Sequence, residues 1–345
     1  MLCRTNKLVR MQFGIIGSGS WATALAKILT DNHQQIKWWV RNNETIQHIG
    51  SRKHNPHYLS TAFFNTNLLD MSSSLEYVVE NSEVILIASP SAFIHSILST
   101  LNKDAFAGKK ILSAVKGILP DSNLLLNEYL FNDFYVNLEN YFAILGPCHA
   151  EEVAAEKLSY LTFCGVDEVH AQRIADCFKT PYINTIVNHD VIGAQYAAVL
   201  KNVYALGAGI IHGLDYGDNF LSVYIANCAS EMMGFLRKVY HANNDEEKEH
   251  INYNVSAYLG DLLVTCYSLY SRNRMFGNMI GKGYSVKAAQ LELNMVAEGY
   301  NASKCMFKAN ETVGAQMPVL NNIYNILWQH VPAADAFDKV EQVLV

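Results

Sequence analysis

The chain has no block of basic residues, no Cys-x-x-Cys pair, no internal repeat and no low-complexity tract. Each absence removes a class of function. The formal net charge is -6 and the sequence pI about 6.0, which argues against a protein that mainly binds nucleic acid or anionic membrane. A local cluster of Lys and Arg would still suffice to hold a small anion. The seven cysteines, Cys3, Cys148, Cys164, Cys177, Cys228, Cys266 and Cys305, are odd in number. They read as reduced thiols in a cytoplasmic protein, without a disulfide framework or structural zinc, and no other metal-ligand spacing is visible. Only 17% of residues are charged and 50% are hydrophobic, ample material for a packed core. A length of 345 residues suggests two domains.

Neither a targeting nor a membrane segment is expected. The N-terminus is basic and then apolar, but its short apolar run turns at once into a glycine-rich loop, which fits a first strand better than a signal peptide. Residues 191–211 are apolar yet carry Gln195, Lys201 and Asn202 in their middle. A lysine at the centre of a lone span costs roughly 2.5–3.5 kcal/mol. A buried helix of a soluble domain is the simpler reading, and the lysine then needs a reason.

What is present alternates. Strand-like runs at 12–16, 36–40, 84–88, 110–114, 143–145 and 161–165 are separated by helical stretches at 21–31, 75–81, 93–101 and 170–178. Such alternation predicts βαβ units around a parallel sheet covered on both faces. Beyond about Asn188, long apolar-periodic stretches dominate, at 191–211, 220–239, 286–291, 302–307 and 318–328. The expected architecture is an α/β, doubly wound N-terminal domain of the Rossmann type over 1–188, followed by an all-α C-terminal domain over 189–345. Residues 241–250 form the most polar stretch and read as a solvated loop or helix start.

Gly17-Ser18-Gly19-Ser20-Trp21-Ala22 matches G-x-G-x-x-A between a strand and a helix. Gly17 permits the tight turn, Gly19 lets the backbone approach a pyrophosphate, and Ala22 lets the helix pack on the strand. The helix start, at Ser20 and Trp21, offers amides and a positive dipole end to the phosphates. After the second strand comes Arg41 where an acidic residue would bind the 2′-hydroxyl of NAD. A guanidinium suits a 2′-phosphate, so NADP(H) is the preferred cofactor, with NAD(H) use left open.

Several further motifs follow in order: VKG at 115–117, LGPCHAEE at 145–152, KNVYALGAG at 201–209, GDLLVTC at 260–266, SRNRMFG at 271–277 and AEGYNASK at 297–304. Together with GSGSWATALA at 17–26 they resemble the bacterial-type NAD(P)-dependent glycerol-3-phosphate dehydrogenase family over roughly residues 12–330. Several separated motifs in register are far more specific than any one of them.

The resemblance implies an oxidoreductase that interconverts glycerone phosphate and sn-glycerol 3-phosphate, supplying glycerophospholipid synthesis. It implies Lys201 as the catalytic acid–base residue, with Asp261 beside it. Burial favours the neutral form of an amine, which acid–base work exploits, and a carboxylate opposes that while aiming the group. Substrate contacts implied by the family are Lys116, Gly146, Cys148, Lys201, Asp261, Ser271, Arg272 and Asn273. Cofactor contacts are Gly17, Gly19, Ser20, Trp21, Arg41, Lys116, Ala150, Arg272, Val296 and Glu298. Cys148 stands where the family usually has a hydroxyl residue and is a weaker donor. His149 departs from a common aromatic residue. Residues 55–59 resemble another family segment near the cofactor, with Ser60 where proline is common. A homodimer is expected from the family and from the prevalence of twofold dimers. Nucleic acid, membrane insertion and a metal ion have no part in this reading. The competing readings are a related dehydrogenase of hydroxy acids or ketopantoate and a non-catalytic NAD(P) sensor. The SRN segment after GDLLVTC favours a phosphorylated substrate over the first.

Overall fold

The computed structural model describes residues 10–242, 252, 255–293 and 297–344. The polar tract at 243–250 and Val296 lie outside them. Two compact units are present. One runs up to Ser89 and takes in Ser96–Val115 and Leu126–Val191; the other holds Pro90–His95, Lys116–Leu125 and the chain from Ile192 onward.

The first half of the chain supplies strands β1 (Phe13–Ile16), β2 (Ile36–Trp39), β3 (Leu69–Ser72), β4 (Val84–Ile87), β5 (Lys110–Ser113), β6 (Tyr141–Leu145), β7 (Ser159–Cys164) and β8 (Ile183–Asn188). Among them run helices α1 (Ser20–Asp31), α2 (Asn43–Arg52), α3 (Leu75–Glu80), α4 (Ser91–Leu98), α5 (Leu126–Phe134), α6 (Ala150–Ala154) and α7 (Glu168–Asp176). The strands form one sheet in the order β3-β2-β1-β4-β5-β6-β7-β8. Every residue of β1 and β4 is buried, so both faces of the sheet are covered. Phe13, Ile15, Leu86, Leu112 and Ile144 pack with Ala22, Leu25 and Leu29 of α1 and Ile174 of α7 on one face. On the other, Gly14 faces α3 so closely that a Cβ there would lie 3.1 Å from Val78 Cγ1.

Strand order reverses between β1 and β4, because β2 and β3 lie to one side of β1 and β4 onward to the other. This is the switch point at which doubly wound sheets bind ligands, beyond the carboxyl ends of the strands. The glycine-rich loop leaves β1 there.

The sheet departs from the sequence expectation in two respects. β7 runs antiparallel to β6, while every other pair is parallel. The five-residue α6 turns the chain back beside β6, and an antiparallel return needs no full crossover. The edge strands β3 and β8 were not expected at all. Their residues, LDMS and INTIVN, are half exposed and carry no continuous apolar run.

The remaining helices are α8 (Val191–Gly213), α9 (Asp218–Ala242), α10 (Asp261–Tyr267), α11 (Arg272–Gly281), α12 (Val286–Leu293), α13 (Glu298–Val313), α14 (Pro318–Trp328) and α15 (Ala333–Glu341). No strand occurs among the described residues from Ile192 onward. No described helix is long and apolar enough to cross a membrane. The middle of α8 is buried all round, from Ala197 through Ile211, as befits a helix at the centre of its unit. Its backbone nearly touches that of α11: a Cβ at Gly277 would strike the Leu206 carbonyl, and one at Gly209 the Arg274 carbonyl. This close approach fixes the start of α11 relative to the polar pair Lys201-Asn202.

A buried carboxylate ties α8, α9 and α14 together. Glu231 accepts from the Val319 and Leu320 amides, at 2.7 and 3.0 Å, and from the Tyr204 hydroxyl at 3.1 Å. Those amides open α14, whose first residue is Pro318, so the acid caps the helix start. Burial nevertheless outweighs the three donors and raises the Glu231 carboxyl from 4.5 to about 7. A carboxyl raised on folding stabilises fully below its unfolded value and loses that contribution as pH rises through the folded one. At about 1.4 kcal/mol per unit, this amounts to about 3 kcal/mol. Denaturant unfolding at pH 5.5 and pH 8 should show the stability of the wild type falling relative to Glu231→Gln as pH rises. A difference independent of pH would refute the assignment.

Candidate active site

In the first unit, the turn after β1 is shaped by contacts only glycine satisfies. Gly17 has φ +116, and a Cβ there would lie 2.6 Å from the Ala88 carbonyl oxygen. Its own carbonyl accepts from Trp38 Nε1 at 2.7 Å. Gly19 differs: it caps α1 with an extended backbone and no side-chain bond, and a Cβ there would meet no protein atom within 4 Å. Packing within the protein therefore does not demand glycine at 19, whereas close approach of a pyrophosphate would. The first helical bond runs from the Thr23 amide to the Gly19 carbonyl, 2.9 Å, so the amides ahead of it point out of the helix start. Ser20 is the first residue of α1, and half-buried Trp21 packs against the sheet core.

Arg41 follows β2 and is exposed, just ahead of Asn42, which caps α2. It makes no hydrogen bond or ion pair among the described residues. Gly146, with φ +113, ends β6. Cys148 is buried after it, and Ala150, also buried, opens α6 behind its cap residue His149.

In the second unit, Lys201 and Asp261 form an ion pair, 4% and 1% exposed. Asp261 sits at the first position of α10, directly after a single π-helical turn, Ser256–Gly260. That turn runs straight into α10, with the Asp261 amide bonding back to the Ser256 carbonyl, so Asp261 lies inside one continuous helix. One oxygen faces Lys201; the other, Oδ2, is buried with no partner among the described residues. Burial pushes the neighbouring Cys266 thiol up to about 12, so it stays neutral and leaves Asp261 as the counter-charge of Lys201.

Asn202, the next residue of α8, starts a relay. Its Nδ2 donates to the Lys116 carbonyl at 2.9 Å and the Ala198 carbonyl at 3.1 Å. Its Oδ1 accepts from Asn273 Nδ2 at 2.9 Å, and Asn273 Oδ1 accepts from the Gly299 amide at 2.9 Å. The relay gathers Lys116, α8, α11 and the start of α13. One amide hydrogen and one lone pair of Asn273 are left over for a ligand. Ser271 caps α11 by accepting from the Arg274 amide at 3.3 Å, which leaves its hydroxyl proton to donate elsewhere. Arg272, first residue of α11, is half buried and makes no hydrogen bond or ion pair among the described residues.

Glu298, expected from the sequence as a cofactor contact, is also held by the protein itself. Its oxygens accept from the Ser91 amide at 3.1 Å and hydroxyl at 2.6 Å, capping α4. Gly117 completes this contact, since a Cβ there would lie 2.6 Å from Ser91 Oγ and 2.7 Å from Glu298 Oε2.

The second unit thus brings together Lys116, Lys201, Asp261, Asn273 and Glu298, with Ser271 and Arg272 at the start of α11. The first unit carries Gly17, Gly19, Ser20, Trp21, Arg41, Gly146, Cys148 and Ala150. Sequence reasoning missed Asn202 and Ser91 as organisers. A polar residue beside Lys201 in an apolar helix was the available signal for Asn202. Ser91 carried none, because its role depends on a residue 207 positions away.

Two family models match the chain: the N-terminal region of NAD-dependent glycerol-3-phosphate dehydrogenase over residues 12–171, and its C-terminal region over 190–338. The chain is 32% identical over 327 residues to glycerol-3-phosphate dehydrogenase, NAD(P)+, of Chlorobium phaeobacteroides, covering 94% of this chain and 96% of that one. It is 31% identical over 332 residues to the enzyme of that name from Listeria monocytogenes, covering 96% of each. The structure of a glycerol-3-phosphate dehydrogenase from Coxiella burnetii superposes with a TM-score of 0.86 at 24% identity, covering 97% of this chain and 99% of that one. A ketopantoate reductase from Ralstonia eutropha superposes with a TM-score of 0.54 at 13% identity, over 95% of this chain and 100% of that one, a likeness of fold alone.

Proposed function

The chain belongs to the NAD-dependent glycerol-3-phosphate dehydrogenase family, and on that premise we propose that it reduces glycerone phosphate to sn-glycerol 3-phosphate with NADPH in preference to NADH. The observation that carries the reading is the buried Lys201–Asp261 pair in the same unit as Arg272, which stands at a helix start without a partner among the described residues. That combination supplies a proton donor and an anion receptor, the two things reduction of a phosphorylated ketone needs from a protein.

The bound nicotinamide supplies the hydride, and the protein supplies alignment and electrostatics. Gly17, Gly19, Ser20 and Trp21 would hold the pyrophosphate of the cofactor at the start of α1. Arg41 would take the 2′-phosphate, for which an exposed guanidinium with no partner among the described residues is suited. Ala150, Lys116, Arg272, Val296 and Glu298 complete the cofactor contacts of this reading. Residues 1–188 carry most of the cofactor contacts, and 189–345 carry Lys201 and most of the substrate contacts.

Lys201 protonates the alkoxide that develops at the substrate carbonyl oxygen, and its charge stabilises that oxygen beforehand. Asp261 aims the ammonium, and its unpartnered Oδ2 can accept from a substrate hydroxyl. Arg272, Ser271 and Asn273 take the phosphate, binding energy remote from the reacting carbon that fixes which face is presented. Lys116, Gly146 and Cys148 line the remainder. No step calls for a metal ion. The protein acts as a cytoplasmic homodimer that supplies glycerophospholipid synthesis.

Three measurements test this. Lys201→Ala should lower kcat by roughly 10²–10⁴ while leaving NADPH affinity unchanged; near-normal turnover would contradict the role. Arg272→Ala should raise KM for glycerone phosphate far more than KM for an unphosphorylated ketone. A defect confined to the cofactor would place Arg272 elsewhere. Arg41→Asp should weaken NADPH far more than NADH, and equal losses would remove the claim of preference.

A further inference from the structure

Residues 53–64 form a loop between α2 and β3, closed at its neck by the Phe64 amide bonding to the Lys53 carbonyl at 2.8 Å. Inside it lies Asn55, with no exposed surface. Its side chain makes four hydrogen bonds. Nδ2 donates to the Ser18 carbonyl at 3.1 Å and to Thr23 Oγ1 at 2.9 Å. Oδ1 accepts from the amides of His57 at 3.0 Å and Tyr58 at 3.3 Å. An asparagine side chain has two amide hydrogens and two acceptor lone pairs, so all are used.

The bond to Ser18 has a directional consequence. The peptide between Ser18 and Gly19 is planar and trans, so its carbonyl and its amide hydrogen point in opposite directions. Turning the Ser18 carbonyl toward Asn55 turns the Gly19 amide away from it. The preceding peptide is fixed in the same manner, since the Gly17 carbonyl is held by Trp38 Nε1. Trp38 in turn meets the loop through Phe64, edge-on at 5.5 Å between ring centroids. Two successive carbonyls of the glycine-rich turn are thus anchored by side chains, and two successive amides are aimed by default. The bond from Asn55 to Thr23 ties the same turn to the first turn of α1.

We infer that Asn55 is a positioning residue for cofactor binding: by anchoring the Ser18 carbonyl and Thr23, it presets the glycine-rich turn to donate amide hydrogens to a dinucleotide pyrophosphate. The inference rests on the assignment of that turn to the cofactor, not on the preference between NADPH and NADH. The pyrophosphate is common to both, so loss of Asn55 weakens both alike.

The test measures Kd for ADP-ribose, which carries the pyrophosphate and no nicotinamide, together with KM for NADPH and NADH and kcat at saturating cofactor. Asn55→Ala should raise the ADP-ribose Kd and both KM values by about ten-fold, the effect of about 1.4 kcal/mol of lost binding, with kcat within about two-fold of wild type. Thr23→Val, which removes one partner of Asn55, should shift the same quantities in the same direction by about three-fold, and Thr23→Ser should restore them. If Asn55→Ala does not fold, the Thr23 pair decides. An unchanged ADP-ribose Kd in a folded Asn55→Ala, or in Thr23→Val when that variant decides, would overturn the inference. So would a fall in kcat matching the loss of affinity, which marks a general loss of structure. Wild-type protein that binds NADPH and NADH equally would refute the NADP preference while leaving this result intact.

Discussion

An ammonium and a carboxylate removed from water must stay in contact, and the helical unit is arranged to meet that demand. Removing one partner of a buried pair costs roughly 3–5 kcal/mol, because the other charge is left uncompensated. Lys201 comes from the middle of α8, and Asp261 from the first position of α10, 60 residues later. Their meeting therefore depends on how α8 is gripped. The glycine seam with α11 grips it on one side, and the Tyr204–Glu231 bond to α9 and α14 on another. Asn202, adjacent to Lys201, adds the amide relay to Asn273 and Gly299. None of these groups need touch a ligand for the ammonium to be held in one place.

Cations elsewhere in the chain show the contrast. Buried Lys27 is doubly paired, with Asp31 at 2.7 Å and Glu156 at 3.1 Å, and joins α1 to the segment after α6. Arg41 and Arg272 have no such partners among the described residues. In a chain with more acidic than basic residues, counter-charges are abundant. Leaving two guanidinium groups unneutralised beside helix starts keeps their donors for an external anion.

Much of this was legible in the sequence because it is encoded locally. The strand–glycine–helix succession at 12–31 fixes both the fold of the turn and its chemistry, and a lysine in an apolar helix demands a reason. Edge strands β3 and β8 were not legible, since a strand paired on one side and half exposed carries little apolar signal. The reversed β7 was missed because strand direction follows from the path of the connecting chain, which periodicity does not record. Glu298 illustrates a third limit. Its position and charge were evident, but its bond to Ser91 joins residues 207 apart, and only tertiary packing reveals it.

That bond also explains why Pro90–His95 and Lys116–Leu125 group with the helices rather than with the sheet that precedes them. Ser91 is capped by Glu298 of α13, Gly117 packs against both, and the Lys116 carbonyl is held by Asn202 of α8. A side chain at 117 would strike Ser91 Oγ and Glu298 Oε2, so the contact survives only with glycine there. The segment that leaves β4 is therefore fastened to α13, and the one that leaves β5 to α8 and α13. Their conformation is set by the packing of the helical unit, even though their sequence lies within the βαβ alternation.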